Sequence, residues 1–175
     1  MGNVTIRLAT VGDAEDIRSI YNHEVLNTTA TFDLVPRTLE EQQDWLQERS
    51  GAFAAIVAVE VPPLLISGTP VDGPVVGFAS LSPYKERAAY RTSVEDSVYV
   101  RRDRAGKGIG RMLLSALLDV ASSSGFHTVF ARIEASGEAS KALHAKCGFE
   151  LVGVERETGR KFNKWLDVAL MQRML

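Results

Sequence analysis

Three glycines at alternate positions, Gly106, Gly108 and Gly110, constrain the fold of this chain more than any other feature. The segment Ser97-Val-Tyr-Val100 before them predicts a strand, and a leucine-rich stripe after them predicts an amphipathic helix. Glycine allows a sharp turn in which successive backbone N–H groups point toward one place. The following helix adds the positive end of its dipole, so this turn is suited to bind phosphate.

The residues around the turn exclude two other phosphate-binding loops. A Walker A loop ends in Gly-Lys-Ser/Thr, whereas this chain has Ile109-Gly-Arg111. A dinucleotide-binding fingerprint counted from Gly106 and Gly108 requires a third glycine where Arg111 stands. Lys107 and Arg111 add positive charge beside the turn. A turn that serves only tight packing stays open as an alternative.

The hydrophobic pattern predicts a single α/β (α+β) domain over residues 1–175, built on a mixed central sheet. Residues 62–74 hold four of the six prolines and are predicted to be a loop insertion, because proline cannot donate to a sheet ladder. Capping boxes at Thr10 and Thr38 begin two of the helices. The predicted strands are 4–8, 53–61, 75–81, 92–100, 128–135, 149–155 and 165–175, and the predicted helices include 14–21, 38–49, 110–124 and 138–147.

Composition argues against several classes of protein. The net charge is −2 and the pI is about 5.9, so the basic excess of a nucleic-acid-binding surface is missing. No run approaches the roughly 18 apolar residues of a membrane span. The single cysteine, Cys147, excludes an internal disulfide, is typical of a reducing compartment and shares no metal-ligand spacing with two histidines. We therefore expect a cytoplasmic protein without a metal, nucleic-acid or membrane partner.

The glycine turn resembles the pyrophosphate-binding loop of the GNAT superfamily of N-acetyltransferases, whose pattern is Gln/Arg-x-x-Gly-x-Gly/Ala. The pattern falls on residues 105–110, with Ala105 in place of Gln or Arg. Over nearly its whole length the chain is similar to the phosphinothricin acetyltransferase group, whose members acetylate phosphinothricin, methionine sulfoximine or methionine sulfone. This resemblance implies a GNAT fold of about seven strands and about four helices, acetyl-CoA as co-substrate and a homodimer. It is carried by residues 20–22, 28–33, 94–100, 143–149 and 159–167.

The resemblance implies two catalytic residues, Glu95 and His144. An amine with a pKa of about 10 must lose a proton before it can attack. Glu95 stands where the group has a catalytic glutamate, and partial burial in an apolar run would raise its pKa. His144 precedes Gly148-Phe149 and stands where an acid protonates the departing thiolate. Asp96 is set aside, because the strand period turns it to the opposite face. A solvated glutamate and a surface histidine are the alternatives.

Contacts with acetyl-CoA are expected along the strand and the turn. By resemblance, backbone groups of the strand pair with the pantetheine amides. Glu138 stands where the family has asparagine, and we expect it to face solvent because a carboxylate would repel the phosphates. The residues expected near acetyl-CoA are Val98, Tyr99, Val100, Gly106, Lys107, Gly108, Ile109, Gly110, Arg111 and Glu138.

The acceptor is expected to bind just ahead of Glu95. Arginine is suited to an amino-acid carboxylate because its guanidinium binds two oxygens at once, and the choice between Arg87 and Arg91 stays open. By resemblance, Phe32 supplies an apolar wall and Lys161 reaches the site from a dimer partner. The residues expected to bind the acceptor are Phe32, Arg87, Tyr90, Thr92 and Lys161.

Together these features predict direct transfer of an acetyl group, in a ternary complex, to the α-amine of a small amino-acid-like substrate. One alternative is a GNAT enzyme that acts on another small amine or a protein N-terminus. A second is a non-catalytic acyl-CoA-binding sensor, which the departures at Ala105 and Glu138 favour.

Overall fold

The computed structural model describes residues 3–49, 51–61 and 73–175. Within these ranges, seven strands and four α-helices follow one another in the predicted order, which confirms the predicted fold class. The strands are β1 (Asn3–Leu8), β2 (Ala55–Val61), β3 (Val75–Pro83), β4 (Ser93–Val100), β5 (Thr128–Glu134), β6 (Glu150–Lys161) and β7 (Lys164–Met174). The helices are α1 (Ala14–Asn27), α2 (Leu39–Gln47), α3 (Ile109–Ser123) and α4 (Glu138–Lys146).

The strands form one sheet in the order β1-β2-β3-β4-β5-β7-β6. All neighbours are antiparallel except β4 and β5, which are parallel. The β4–β5 pairing joins only residues 93–95 to residues 128–130. Beyond Glu95, β4 stays paired with β3 as far as Val100 but separates from β5. The sheet is therefore split at its centre.

Two apolar cores hold the split sheet from opposite faces. On one face, the predicted leucine stripe of α3 is buried, and Leu113 and Leu117 pack with Val76 of β3. On the other face, Ile17 of α1 packs with Phe78 of β3. Each side chain of this size stabilises the fold by about 1.5–3 kcal/mol when it is fully buried. Strands β3 and β4 are thus fixed between two helical layers.

Local signals place the start of α2 and the end of α3 within one residue of the predicted positions, whereas α1 continues to Asn27 and α2 ends at Gln47. At the start of α2, Thr38 Oγ1 accepts from the Glu41 backbone N–H at 3.2 Å, and the Glu41 carboxylate accepts from the Thr38 N–H at 2.7 Å. Gly125, with φ of 80°, follows the end of α3. None of the helices in the described ranges is long and apolar enough to cross a membrane.

Strand β6 is longer than predicted, since it continues past Glu155 to Lys161. The strand lies at the sheet edge and is mostly exposed, so its charged residues hide the alternation that marks a half-buried strand. Its pairing with β7 is irregular between Glu155 and Gly159. The predicted insertion at 62–74 lies outside the described residues, except for its last two positions.

Candidate active site

A cavity of about 1030 Å³ opens where β4 and β5 separate. Successive residues of a strand point to opposite faces of a sheet. Both faces of β4 line this cavity, with Glu95 and Tyr99 on one face and Asp96 and Val98 on the other. The cavity therefore passes through the sheet. Helices α3 and α4 border it on the Asp96 side, and the loop of residues 28–32 borders it on the Glu95 side.

The glycine turn forms the end of the cavity at the start of α3. Gly106 and Gly108 have φ of 74° and 82°, a conformation that residues with side chains rarely adopt. Gly108 is the N-cap of α3, whose first N–H groups have no acceptor in their own helix. From 105 to 111, every residue except Lys107 lines the cavity. The turn thus places backbone donors and a helix dipole at a cavity, as a diphosphate requires.

Two further arginines at this end were missed by sequence reasoning. Arg102 and Arg104 line the cavity together with the predicted Arg111. Arg102 is paired with Glu24 of α1, and Arg104 with Glu60 of β2. Their signal in the sequence was the charged run just ahead of the glycines.

The predicted pantetheine-binding segment presents an open strand edge. Val98, Tyr99 and Val100 all line the cavity. Strand β3 pairs with one edge of this segment, whereas β5 does not pair with the other. An unpaired strand edge offers a row of backbone N–H and C=O groups. An extended molecule that carries amides can bind there as an added strand does.

Glu95 is partly buried and faces the cavity. Burial raises the pKa of its carboxyl group, as predicted. The Arg132 guanidinium lowers this pKa, the charges of Asp96 and Glu155 raise it, and the net direction is upward. A carboxyl group with a raised pKa is a better base near neutral pH than an ordinary glutamate.

His144 of α4 lies in the same cavity, but both of its ring nitrogens have protein partners. Nε2 lies 3.0 Å from Asp96 Oδ2, and Nδ1 lies 2.7 Å from the Ser140 carbonyl oxygen. Asp96 does face away from Glu95, as the strand period predicts. It nevertheless lines the cavity and contacts the second predicted catalytic residue. The strand period thus gives the face of Asp96 correctly, and the split between β4 and β5 makes both faces of β4 part of one cavity.

Four of the five predicted acceptor residues, Arg87, Tyr90, Thr92 and Lys161, do not line this cavity. Arg87 and Tyr90 line a separate depression of about 480 Å³. Thr92 lines neither, and its carbonyl oxygen accepts from the His127 N–H at 2.9 Å. Closeness to Glu95 in sequence does not bring the first three of them to the cavity, because residues 88–90 form a separate turn before β4 begins at Ser93.

Phe32 lines the cavity as predicted, and its ring lies against Gly159 of β6. A Cβ atom at Gly159 would come within 2.2 Å of that ring. Lys161 does not line the cavity. It is buried within its own chain, where it donates to the carbonyl oxygens of Thr31 at 2.8 Å and Glu24 at 3.4 Å. Lys161 thus ties the β6–β7 hairpin to the loop that carries Phe32.

Arg132 of β5 is a cavity residue that the sequence did not indicate. Phe130 is paired with Glu95, and Arg132 lies two residues further on, so its side chain shares the Glu95 face. The guanidinium donates to both Glu155 oxygens, at 3.2 and 2.6 Å. The other cavity-lining arginines of the described ranges belong to residues 102–111, at the glycine turn.

Glu138 faces solvent, as predicted. Its side chain is 83% exposed and pairs with Lys141 at 2.6 Å. Cys147 is buried and does not line the cavity. Within the described residues, no group of three or more His, Cys, Asp or Glu side chains could hold a metal ion.

Residues 6–170 match the acetyltransferase (GNAT) domain family. The chain belongs to this family. As a GNAT enzyme it is an acetyl-CoA-dependent N-acetyltransferase, which confirms the activity and co-substrate predicted from the sequence.

Relatives of the predicted group match nearly the whole chain. The L-methionine sulfoximine/L-methionine sulfone acetyltransferase of Pseudomonas aeruginosa is 39% identical, over 97% of this chain and 94% of its own. The phosphinothricin N-acetyltransferase of Streptomyces coelicolor is 37% identical, over 98% of this chain and 96% of its own. The phosphinothricin acetyltransferase of Sinorhizobium meliloti, solved in complex with AcCoA, has a TM-score of 0.87 and 38% identity, over 98% of this chain and 88% of its own.

Proposed function

We propose that this enzyme transfers an acetyl group from acetyl-CoA to the α-amine of a small amino acid of the methionine sulfone, methionine sulfoximine or phosphinothricin type. One observation carries the proposal: a single cavity crosses the sheet, with a phosphate-binding turn at one end and Glu95 on the other face. Two substrates can therefore enter from opposite faces and meet at the split. Relatives named for these acceptors match nearly the whole chain.

The co-substrate would follow the α3 side of the cavity. Its diphosphate would bind the N–H groups of the glycine turn, with Arg111 beside them. Its pantetheine amides would pair with the open edge of β4 at Val98–Val100. This path places the thioester near Asp96, where β4 and β5 separate.

Glu95 would act as the general base, directly or through one water. Its carboxylate takes a proton from the acceptor's ammonium group, and the amine lone pair then forms a C–N bond with the acetyl carbon. The C–S bond breaks with its electron pair on sulfur. The nitrogen loses a second proton and the thiolate gains one, so the products are an amide and free CoA thiol. Cys147 does not line the cavity, which favours direct transfer in a ternary complex over an acetyl-enzyme.

Arg132 would recognise the carboxylate of the acceptor. It lines the cavity on the Glu95 face, and its guanidinium lies close enough to influence the Glu95 carboxyl. Two hydrogen bonds to Glu155 hold the guanidinium in place and leave Nε–H free of that pair. An acceptor carboxylate on Arg132 would direct the neighbouring α-amine toward Glu95.

We also place this enzyme in the cytoplasm as a homodimer. The lone cysteine is free and buried, which is consistent with a reducing compartment. Strand β6 is an open sheet edge, and several apolar residues of β6 and β7 are half or more exposed. These features favour pairing with a second copy. The exposed residues are Leu151 at 60%, Val152 at 56%, Val154 at 50% and Trp165 at 60%.

A thiol-release assay with purified enzyme and acetyl-CoA tests the acceptor. The panel contains methionine sulfone, methionine sulfoximine, phosphinothricin, spermidine and a short peptide with a free N-terminus. We expect thiol release with the three amino acids. Thiol release with spermidine or with the peptide, but with none of the three amino acids, would contradict the proposed amino-acid acceptor. Binding of acetyl-CoA without release from any amine would favour the sensor.

A further inference from the structure

The pair formed by Asp96 and His144 is the most buried ionisable contact of the site. Their side chains are 1% and 5% exposed, and Nε2 and Oδ2 lie 3.0 Å apart. Both residues line the cavity at the split between β4 and β5. Removal of one partner from such a pair leaves the other buried without compensation, which makes the pair costly to break.

The hydrogen bonds of the His144 ring define its protons. A carbonyl oxygen can only accept, so Nδ1 must carry the hydrogen that it shares with the Ser140 oxygen at 2.7 Å. The contact between Nε2 and Asp96 contains a further proton. With Asp96 ionised, that proton belongs to Nε2, and the ring is an imidazolium that donates on both sides.

Beside the Ser140 hydroxyl, whose Oγ lies 3.5 Å from Nδ1, three groups contact the ring. Among the described residues, β4 supplies the Asp96 carboxylate and helix α4 supplies the Ser140 carbonyl. The Phe149 ring, just before β6, lies edge-on to the imidazole at a centroid distance of 5.0 Å. The charged partner of the ring is thus Asp96, and the other two contacts fix its orientation.

The electrostatic balance favours the charged ring. Burial lowers the pKa of His144, whereas the hydrogen bond and charge of Asp96 and the bond to Ser140 raise it, and the net direction is upward. A raised folded-state pKa means that the stabilising contribution is complete below the unfolded-state value of about 6.5. This contribution is lost as the pH rises through the higher folded-state value.

Asp96 also carries an unmet hydrogen-bonding requirement. Its Oδ1 atom is buried and has no hydrogen-bond partner among the described residues. A buried carboxylate that served packing alone would normally have both oxygens satisfied. The carboxylate therefore fits a role in which its charge acts on His144.

We propose that Asp96 is a positioning residue of the acetyl-transfer reaction, which holds His144 as an imidazolium beside the breaking thioester bond. This role rests on the proposed function, because the C–S bond of acetyl-CoA is the bond that places negative charge on sulfur. The ion pair is neutral overall, and the positive imidazolium end of its fixed dipole, held on the side of the sulfur, stabilises such a developing anion without reorganisation. His144 thereby acts through its charge, with both ring protons held by Asp96 and Ser140.

The first experiment is a ¹H–¹³C NMR titration of the histidine rings in the full chain without acceptor. His144→Gln identifies the His144 signal among the three histidines. We expect His144 to titrate above the ordinary value of about 6.5. Asp96→Asn should lower that midpoint by about one pH unit or more. Asp119→Asn, which removes one exposed carboxylate from α3, should leave it unchanged.

The second experiment measures steady-state kinetics of the same variants across pH. We expect Asp96→Asn to reduce kcat at least about tenfold while the KM for acetyl-CoA stays near that of the unaltered enzyme. The basic limb of its kcat profile should move to lower pH, an effect that loss of stability alone would not produce. A His144 midpoint below the ordinary value in the unaltered enzyme would overturn the proposal, even if Asp96→Asn did not fold. An unchanged midpoint and an unchanged profile in Asp96→Asn would overturn it too. The titration contains no acceptor, so a wrong acceptor class would leave its result intact.

Discussion

At the scale of single residues, the proposed chemistry depends most on Glu95, the proposed general base. Its place on β4 gives it both partial burial and access to the cavity. We predict that Glu95→Gln lowers kcat by about 10²- to 10⁴-fold, because glutamine cannot accept the ammonium proton. Acetyl-CoA affinity should stay unchanged, since we propose that the co-substrate binds mainly at the turn. Thiol release and isothermal titration with acetyl-CoA measure the two effects.

The raised pKa of Glu95 also predicts how kcat/KM depends on pH. Because the pKa of Glu95 is raised, the base is lost as the pH falls through a value above the ordinary glutamate range. The acidic limb of kcat/KM should therefore lie above that range and disappear in Glu95→Gln. Glu40→Gln, an exposed change on α2, is the matched control. A normal kcat in Glu95→Gln would remove this residue from the mechanism.

A second prediction concerns Arg132 as the partner of the acceptor carboxylate. Arg132→Gln should raise the acceptor KM about tenfold or more, because a charge-assisted hydrogen bond contributes about 1.5–3 kcal/mol. The KM for acetyl-CoA should not change. Arg87→Gln tests the rival predicted from sequence. If Arg87→Gln raises the acceptor KM and Arg132→Gln does not, the assignment is wrong.

At the scale of elements, the unit of β4, glycine turn and α3 was predictable because its signals are local. The alternation of β4, the spacing of the glycines and the leucine stripe of α3 all lie within residues 93–123. Each is a property of neighbouring residues, and the structure retains all three. Glu95 itself was predicted from the resemblance to the phosphinothricin acetyltransferase group, and its catalytic role stays a prediction.

A substitution at Gly108 tests the backbone conformation of the turn without introducing a steric clash. Its φ is 82°, and no atom lies within 4 Å of the position that a Cβ would occupy. Gly108→Ala should therefore cost about 1–2 kcal/mol from backbone strain. For a chain of this length, each kcal/mol lost lowers Tm by about 2–4 °C. Acetyl-CoA should also bind more weakly, because the turn is proposed to hold its diphosphate. Differential scanning calorimetry with and without acetyl-CoA measures both.

Gly110→Ala is the matched control for that strain. Gly110 lacks a positive φ, and a Cβ there would lie 3.2 Å from Cδ2 of Leu143, the end of a flexible side chain. Its Tm should fall less than that of Gly108→Ala. An equal or larger fall would show that packing between α3 and α4, rather than the left-handed turn, dominates.

At the scale of the whole molecule, the site depends on contacts that no local pattern contains. The strand period correctly places Asp96 on the face opposite Glu95. That face lines the cavity only because β4 and β5 separate beyond Glu95. Arg132 reaches the site because β5 lies parallel to β4, although 37 residues separate it from Glu95 in the numbering. Arg87, much closer in sequence, lies in another depression. Sequence therefore predicts the strand that carries the proposed base, and it misses Asp96 and Arg132, whose charges act on the pKa of Glu95.

The surface proposed for dimer formation lies on strand β6, apart from the proposed catalytic residues. Exposed Val152 and Val154 lie on the open edge strand β6. We predict that the enzyme elutes with twice its 19.1 kDa chain mass and that the double change to lysine makes it monomeric, because edge lysines oppose strand pairing. Light scattering after size exclusion measures the mass. Val35→Lys, at a site 77% exposed before α2, is the control that should stay dimeric.

Activity of the monomeric variant then decides what the second copy contributes. Lys161 binds carbonyl oxygens of Glu24 and Thr31 in its own chain, and residues of one chain line the cavity from the glycine turn to Phe32. The monomer should therefore still release thiol with the same acceptors. A monomer that binds acetyl-CoA but no longer turns over would show that the partner completes the acceptor site. A double variant that stays dimeric would instead place the interface elsewhere.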